Sequence, residues 1–136
     1  MPDTSSATNA VQTPVGVWTG LVRHDDETDS YTISFAPDGT IALRTSVTVG
    51  TGTWVAGEAG KFSYDLTETF TPASGRAGRV QAHVEAHIEG AAHRGVGTAR
   101  IYTPDGTLVH SATAEFAGDR VGDAPADWHD AAGTAL

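Results

Sequence analysis

Residues 61–70 read KFSYDLTETF, and their alternation decides how the chain is built. Phe62, Tyr64, Leu66, Glu68 and Phe70 share one parity, while Ser63, Asp65, Thr67 and Thr69 share the other. Successive side chains of a strand point to opposite faces, so this stretch presents one largely apolar and one polar face, the pattern of a half-buried β-strand. The same period continues along the chain in short runs broken by Gly, Pro and Asp, and no window carries the 3.6-residue period of a helix. Eight strands are expected, near 15–24, 30–36, 40–49, 52–56, 61–70, 80–89, 95–103 and 107–117.

The connections are short and contain glycine, which favours antiparallel neighbours, because a parallel crossover needs a dozen or more residues. FAPDGTIAL at 35–43 returns in outline as YTPDGTLVH at 102–110. In each, Pro presets φ, Asp can bond the backbone ahead of it, and Gly supplies a left-handed position, so both are read as hairpin turns. Eight antiparallel strands left open would expose two edges and a bare face. Closure into an up-and-down barrel is preferred over a sandwich of two sheets. The expected fold class is therefore all-β, with an interior wide enough for side chains or one small ligand.

The 136 residues amount to about one domain. A flexible leader is expected over 1–13, the barrel over 14–120 and a C-terminal arm over 121–136. The leader lacks the basic start and apolar middle of a signal peptide, and the chain has no Cys, which together suggest the cytoplasm. No apolar run reaches a membrane span. A net charge of −9 without an Arg/Lys cluster speaks against nucleic acid as a partner. The oligomeric state stays open, with a homodimer among the options.

A second stretch adds a resemblance. VGVWTG at 15–20 sets Trp18 between Gly16 and Gly20 at the head of the first strand, and Arg120 follows the last expected strand. This Gly-x-Trp with a distant Arg resembles the signature of lipocalin and wider calycin barrels. The resemblance implies that Trp18 plugs the closed end and that Arg120 covers its ring as a cation–π partner. The chain is shorter than typical lipocalins and lacks their disulfide, so it is more similar to a small allene-oxide-cyclase-like barrel. Barrels of that sort include cyclases of bacterial polyketide and antibiotic biosynthesis, some of which catalyse [4+2] ring closure.

If the first strand rises from the closed end, the loops near 25–30, 50–52, 71–79 and 104–106 surround the open one. Glu68 then lies on the apolar face near the mouth, where burial would raise its pKa into the range of a general acid or base. A bulge that turns it to solvent, or pairing with Arg100, is the alternative. His110 shares the parity of Leu108, Ala112, Ala114 and Phe116, and His24 ends the first strand on the parity of Trp18. Glu68, His110 and His24 are therefore the candidate catalytic set. Surface roles for the two His residues are the alternative. Tyr31, Phe35, Trp54, Tyr64, Phe70 and Tyr102 are the candidate ligand-binding residues, the tyrosines as hydroxyl donors. The inward face of 95–103 is left open.

VQAHVEAHIEG at 80–90 looks like a metal site, with His83, Glu85, His87 and Glu89 on one parity. Yet i and i+4 of a strand stand about 13 Å apart, too far to share one ion. These residues are read as an outer face, with Ala82, Val84, Ala86 and Ile88 inward. HDDETDS at 24–30 lacks the glycine and final Glu of a calcium loop and is read as a solvated lid. No nucleophile elbow, P-loop or dinucleotide fingerprint is present.

Two function classes follow. One is a cofactor-independent cyclase or isomerase that folds a hydrophobic polyketide-type molecule inside the barrel. The other is a non-catalytic carrier or sequestering protein for a similar molecule. A purely structural barrel would require the interior to be filled by side chains.

Overall fold

The alternating runs form eight strands in the computed structural model, which describes residues 13–122. They are β1 (Gly16–His24), β2 (Glu27–Phe35), β3 (Thr40–Thr45), β4 (Thr48–Ala56), β5 (Lys61–Phe70), β6 (Arg79–Glu89), β7 (Ala92–Tyr102) and β8 (Leu108–Gly122). Each pairs antiparallel with its sequence neighbour, and β8 returns to β1, so the sheet closes as an up-and-down barrel with no free edge strand. Among the described residues no helix is long and apolar enough to cross a membrane.

Several boundaries differ from those expected, each for a local reason. The third strand stops at Thr45 because the Thr45 hydroxyl accepts the backbone N–H groups of Val47 and Thr48, at 3.2 and 3.0 Å, and turns the chain at 46–47. The glycines at 50 and 52 therefore mark no loop. They sit inside β4, where a Cβ on Gly52 would lie 1.8 Å from the Asp65 carbonyl oxygen. The supposed acidic lid shrinks to Asp25 and Asp26, whose φ values of 50° and 65° make a two-residue turn of the kind that Asp tolerates. Glu27 to Ser30 belong to β2. β7 begins early enough to contain His93, and β8 runs on to Gly122, so that Arg120 lies within a strand rather than after it. Most of the expected leader and C-terminal arm, 1–12 and 123–136, lie outside the described residues. The two Pro-Asp-Gly hairpins form as expected, with Gly39 and Gly106 both at φ 91°.

The inner parity packs one half of the barrel solid. Trp18, Ile33, Phe35, Leu43, Tyr64, Val84 and His93 are fully buried there. Phe35 meets Phe62 at 5.5 Å and Tyr64 at 5.4 Å edge to face, the arrangement that ring quadrupoles prefer. Trp18 closes this end. Its indole N–H donates to the Pro14 carbonyl at 2.8 Å, and the Arg120 guanidinium stands 4.3 Å from its ring centroid. Arg120 is held in place by donating to the carbonyls of Val15 and Thr13.

The glycines around Trp18 also have an account. Gly16 adopts φ 129°, open only to glycine at low cost. Gly20 belongs to a row that crosses four strands, from His93 on β7 through Gly118 on β8 and Gly20 on β1 to Tyr31 on β2. A Cβ on Gly20 would lie 1.9 Å from the Ala117 carbonyl oxygen, and one on Gly118 would lie 2.7 Å from the Tyr31 hydroxyl. Two absent side chains thus let Tyr31 span the row and reach His93 Nε2 at 3.0 Å.

Candidate functional site

Above the packed half, the side chains on the inner face become smaller and the interior opens. The turns at 25–26, 46–47, 71–78 and 103–107 share this end. The cavity there holds about 100 Å³ and opens to solvent at its mouth, so it is smaller than the roughly 300–1,000 Å³ of drug-sized sites and a larger ligand would reach out through the mouth. Val22, Leu43, Ala82, Ala99, Ile101 and Ala114 make much of its wall apolar.

The polar groups stand on two opposing walls. On the first, Glu68 of β5 is 9% exposed, and its Oε1 accepts the Thr48 hydroxyl at 2.7 Å. Gly50 pairs with Glu68 across the β4–β5 ladder, and a Cβ there would approach Glu68 Cγ to 2.8 Å. Glycine at this position therefore gives the Glu68 stem its room. Burial pushes the carboxyl above its ordinary value. The Thr48 hydrogen bond and, across the cavity, His24 oppose that effect, and the Asp29 carboxylate adds to it.

On the second wall, Asp25 gathers the two histidines. His110 Nε2 lies 2.6 Å from Asp25 Oδ2, and His24 Nδ1 lies 3.8 Å from the same oxygen. The His110 hydrogen bond holds the Asp25 carboxyl below its ordinary value. Glu68 and His110 occupy one inward row, separated by Val80 and Ile101. Three strand spacings put them roughly 14 Å apart along the wall. All three candidate catalytic residues therefore face one cavity, but Glu68 acts from one side and His24 with His110 from the other.

The candidate ligand-binding residues separate by height. Phe70 lines the cavity, with the Arg76 guanidinium 5.5 Å from its ring. Phe35, Tyr31 and Tyr64 lie in the packed half beneath it. Trp54 is near the closed end, donating to the Ala36 carbonyl at 2.8 Å. Tyr102 follows an irregularity in the β7–β8 ladder and lies against Arg79, 4.9 Å from ring to guanidinium, away from the cavity. Burial raises the pKa of both Tyr31 and Tyr64, so neither is a ready proton donor to a ligand.

The run at 80–90 points as its parity required, with Ala82, Val84 and Ala86 buried and His83, Glu85, His87 and Glu89 exposed. His83 is bound on both nitrogens, by Asp65 at 2.7 Å and Glu85 at 2.5 Å, which raises its pKa. Among the described residues no group of three or more His, Asp or Glu is arranged to hold a metal ion.

Sequence reasoning missed Asp25, Thr45, Thr48 and His93. Asp25 and Thr48 gain their roles only through partners 85 and 20 residues away. His93 fell in an expected loop. It is fully buried, and burial, reinforced by the charge of Arg120, pushes its imidazole down to about 4. No family model, curated protein or solved structure matches the chain.

Proposed function

We propose that the barrel is a cofactor-independent cyclase or isomerase that folds a hydrophobic, polyketide-type molecule in its open half and closes a ring within it, [4+2] addition being one such closure. The observation that carries this reading is a buried carboxyl, Glu68, on the wall of an otherwise largely apolar cavity. A chain held with its reacting ends in contact can gain about 7 to 11 kcal/mol from orientation in favourable intramolecular cases. The closed lower end suits that task, because a chain that enters at the mouth cannot pass through the barrel. Glu68 adds acid–base help, typically worth about 10² to 10⁴-fold. In this reading kinship with calycin barrels is part of the proposal, supported by the Trp18–Arg120 plug, and the protein works in the cytoplasm on a small molecule.

The unfilled upper half argues against a barrel that serves only as structure. The test is incubation with linear polyene substrates of polyketide type, followed by chromatography and mass spectrometry for an isomer of unchanged mass. Wild type should convert them, and Glu68→Gln should slow turnover by about 10² to 10⁴-fold. Ala112→Trp, which fills the cavity, should abolish binding and turnover together. Tight binding without any isomer would establish the carrier function instead.

A further inference from the structure

The two oxygens of Glu68 are not equivalent. Thr45 Oγ1 accepts two backbone N–H groups in the turn at 46–47, and a hydroxyl has two lone pairs and one proton. Its lone pairs are therefore spoken for, and its own proton points to Thr48 Oγ1 at 2.7 Å. Thr48 in turn donates to Glu68 Oε1 at 2.7 Å. The direction runs one way, from the backbone of the turn through Thr45 and Thr48 to Oε1. When Glu68 is in its acid form the proton is then carried by Oε2. Among the described residues no ion pair joins Glu68 to a Lys or Arg, whereas Arg94 pairs with Glu89.

We propose that this wall recognises a neutral carbonyl group on an apolar ligand, Glu68 donating its Oε2 proton to the carbonyl oxygen while the threonine relay holds Oε1. This rests on the cavity being the ligand site, as proposed above, and names the chemistry of its ligand: a ketone, enone or ester carbonyl joined to an apolar body, in preference to an amine or a plain hydrocarbon. For a conjugated enone such a hydrogen bond also withdraws electron density from the adjoining double bond, which promotes ring closure. The other titratable or charged groups facing the cavity are His24, Asp25, Asp29, Arg76 and His110. All stand at its mouth, and the inner faces of β4, β6 and β7 contribute none there.

The experiment is a fluorescence titration with three probes of one size, an alkyl naphthyl ketone, the matching alkylnaphthalene and the matching alkylammonium. One hydrogen bond predicts that wild type binds the ketone about 2- to 10-fold more tightly than the hydrocarbon. Glu68→Gln should keep this preference, since its amide carbonyl can take the Thr48 proton and its NH₂ still faces the ligand. Glu68→Leu should lose it while binding the hydrocarbon normally. With wild type the preference should shrink as rising pH ionises Glu68, whereas in Glu68→Gln it should not, and this arm requires no refolded core. Equal binding of ketone and hydrocarbon, or tightest binding of the ammonium probe, would overturn the inference and leave the ligand site intact. Failure of every probe to bind wild type would overturn both.

Discussion

Replacing His93 by Gln should remove an acid-induced loss of stability that is expected of the wild-type protein as pH falls from about 6.5 to about 4. His93 is fully buried, with its ring 4.7 Å from Trp18 and 5.9 Å from Phe62, and Nε2 bonded to the Tyr31 hydroxyl. No group of the described residues hydrogen-bonds to the buried Nδ1, and no carboxylate stands by the ring, so a protonated imidazole would be poorly stabilised there. The folded barrel therefore keeps the imidazole neutral down to about 4, whereas the unfolded chain protonates it near 6.5. A base with a depressed folded pKa contributes its full stability above the unfolded value and loses it as pH falls through the folded one. At about 1.4 kcal/mol per pH unit, the span from 6.5 to about 4 amounts to roughly 3 kcal/mol, a large share of the 5 to 15 kcal/mol typical of a domain. Guanidinium unfolding of wild type and His93→Gln between pH 7.5 and 4 measures it. Carboxylates and exposed histidines titrate in both proteins and largely cancel in the difference. Gln should cost packing energy at pH 7.5, and that deficit should shrink by roughly 3 kcal/mol toward pH 4. Parallel curves, or an imidazole NMR signal for His93 titrating near 6.5, would refute the reasoning.

The closed end gives a second test, since Trp18→Ala should cost roughly 3 to 5 kcal/mol as a buried aromatic truncation, and Arg120→Ala less. Two thermal melts indistinguishable from wild type would remove the plug from the account. Gly20→Ala, whose new Cβ would lie 1.9 Å from the Ala117 carbonyl oxygen, should cost about 3 kcal/mol or more. Gly75→Ala, at φ 72° with open space around it, should cost only about 1 kcal/mol, and equal melting of the two would show that crowding at Gly20 is unimportant. Adding zinc or a chelator should leave the melting temperature unchanged, because His83 is already bound by Asp65 and Glu85 and a strand sets His87 about 13 Å away. A stoichiometric ion that survives dialysis of wild type but not of His87→Ala would contradict this.

Much of the architecture was legible because it is written in local pattern. The alternation of 61–70 and 80–89 assigned Glu68 and Ala82 to the inner face and His83 to the outer, and the Pro-Asp-Gly repeats marked two turns. Glycine misled where it serves a strand, as at 50 and 52, since a local reading cannot tell a turn from the close approach of a neighbouring strand. Parity also says nothing of height. Tyr64 and Glu68 share a face of β5, yet one lies beneath the cavity and the other on its wall.

By itself, then, the sequence determined the existence of the strands, the faces of 61–70 and 80–89 and the antiparallel order of neighbours, because side-chain alternation and turn chemistry act over a few residues. The tertiary structure alone decided which residues meet: Tyr31 with His93 over two glycines, Thr48 with Glu68, and Asp25 with His110. Those meetings depend on the stagger between strands, which hydrogen-bond register sets around the whole barrel and no single segment encodes.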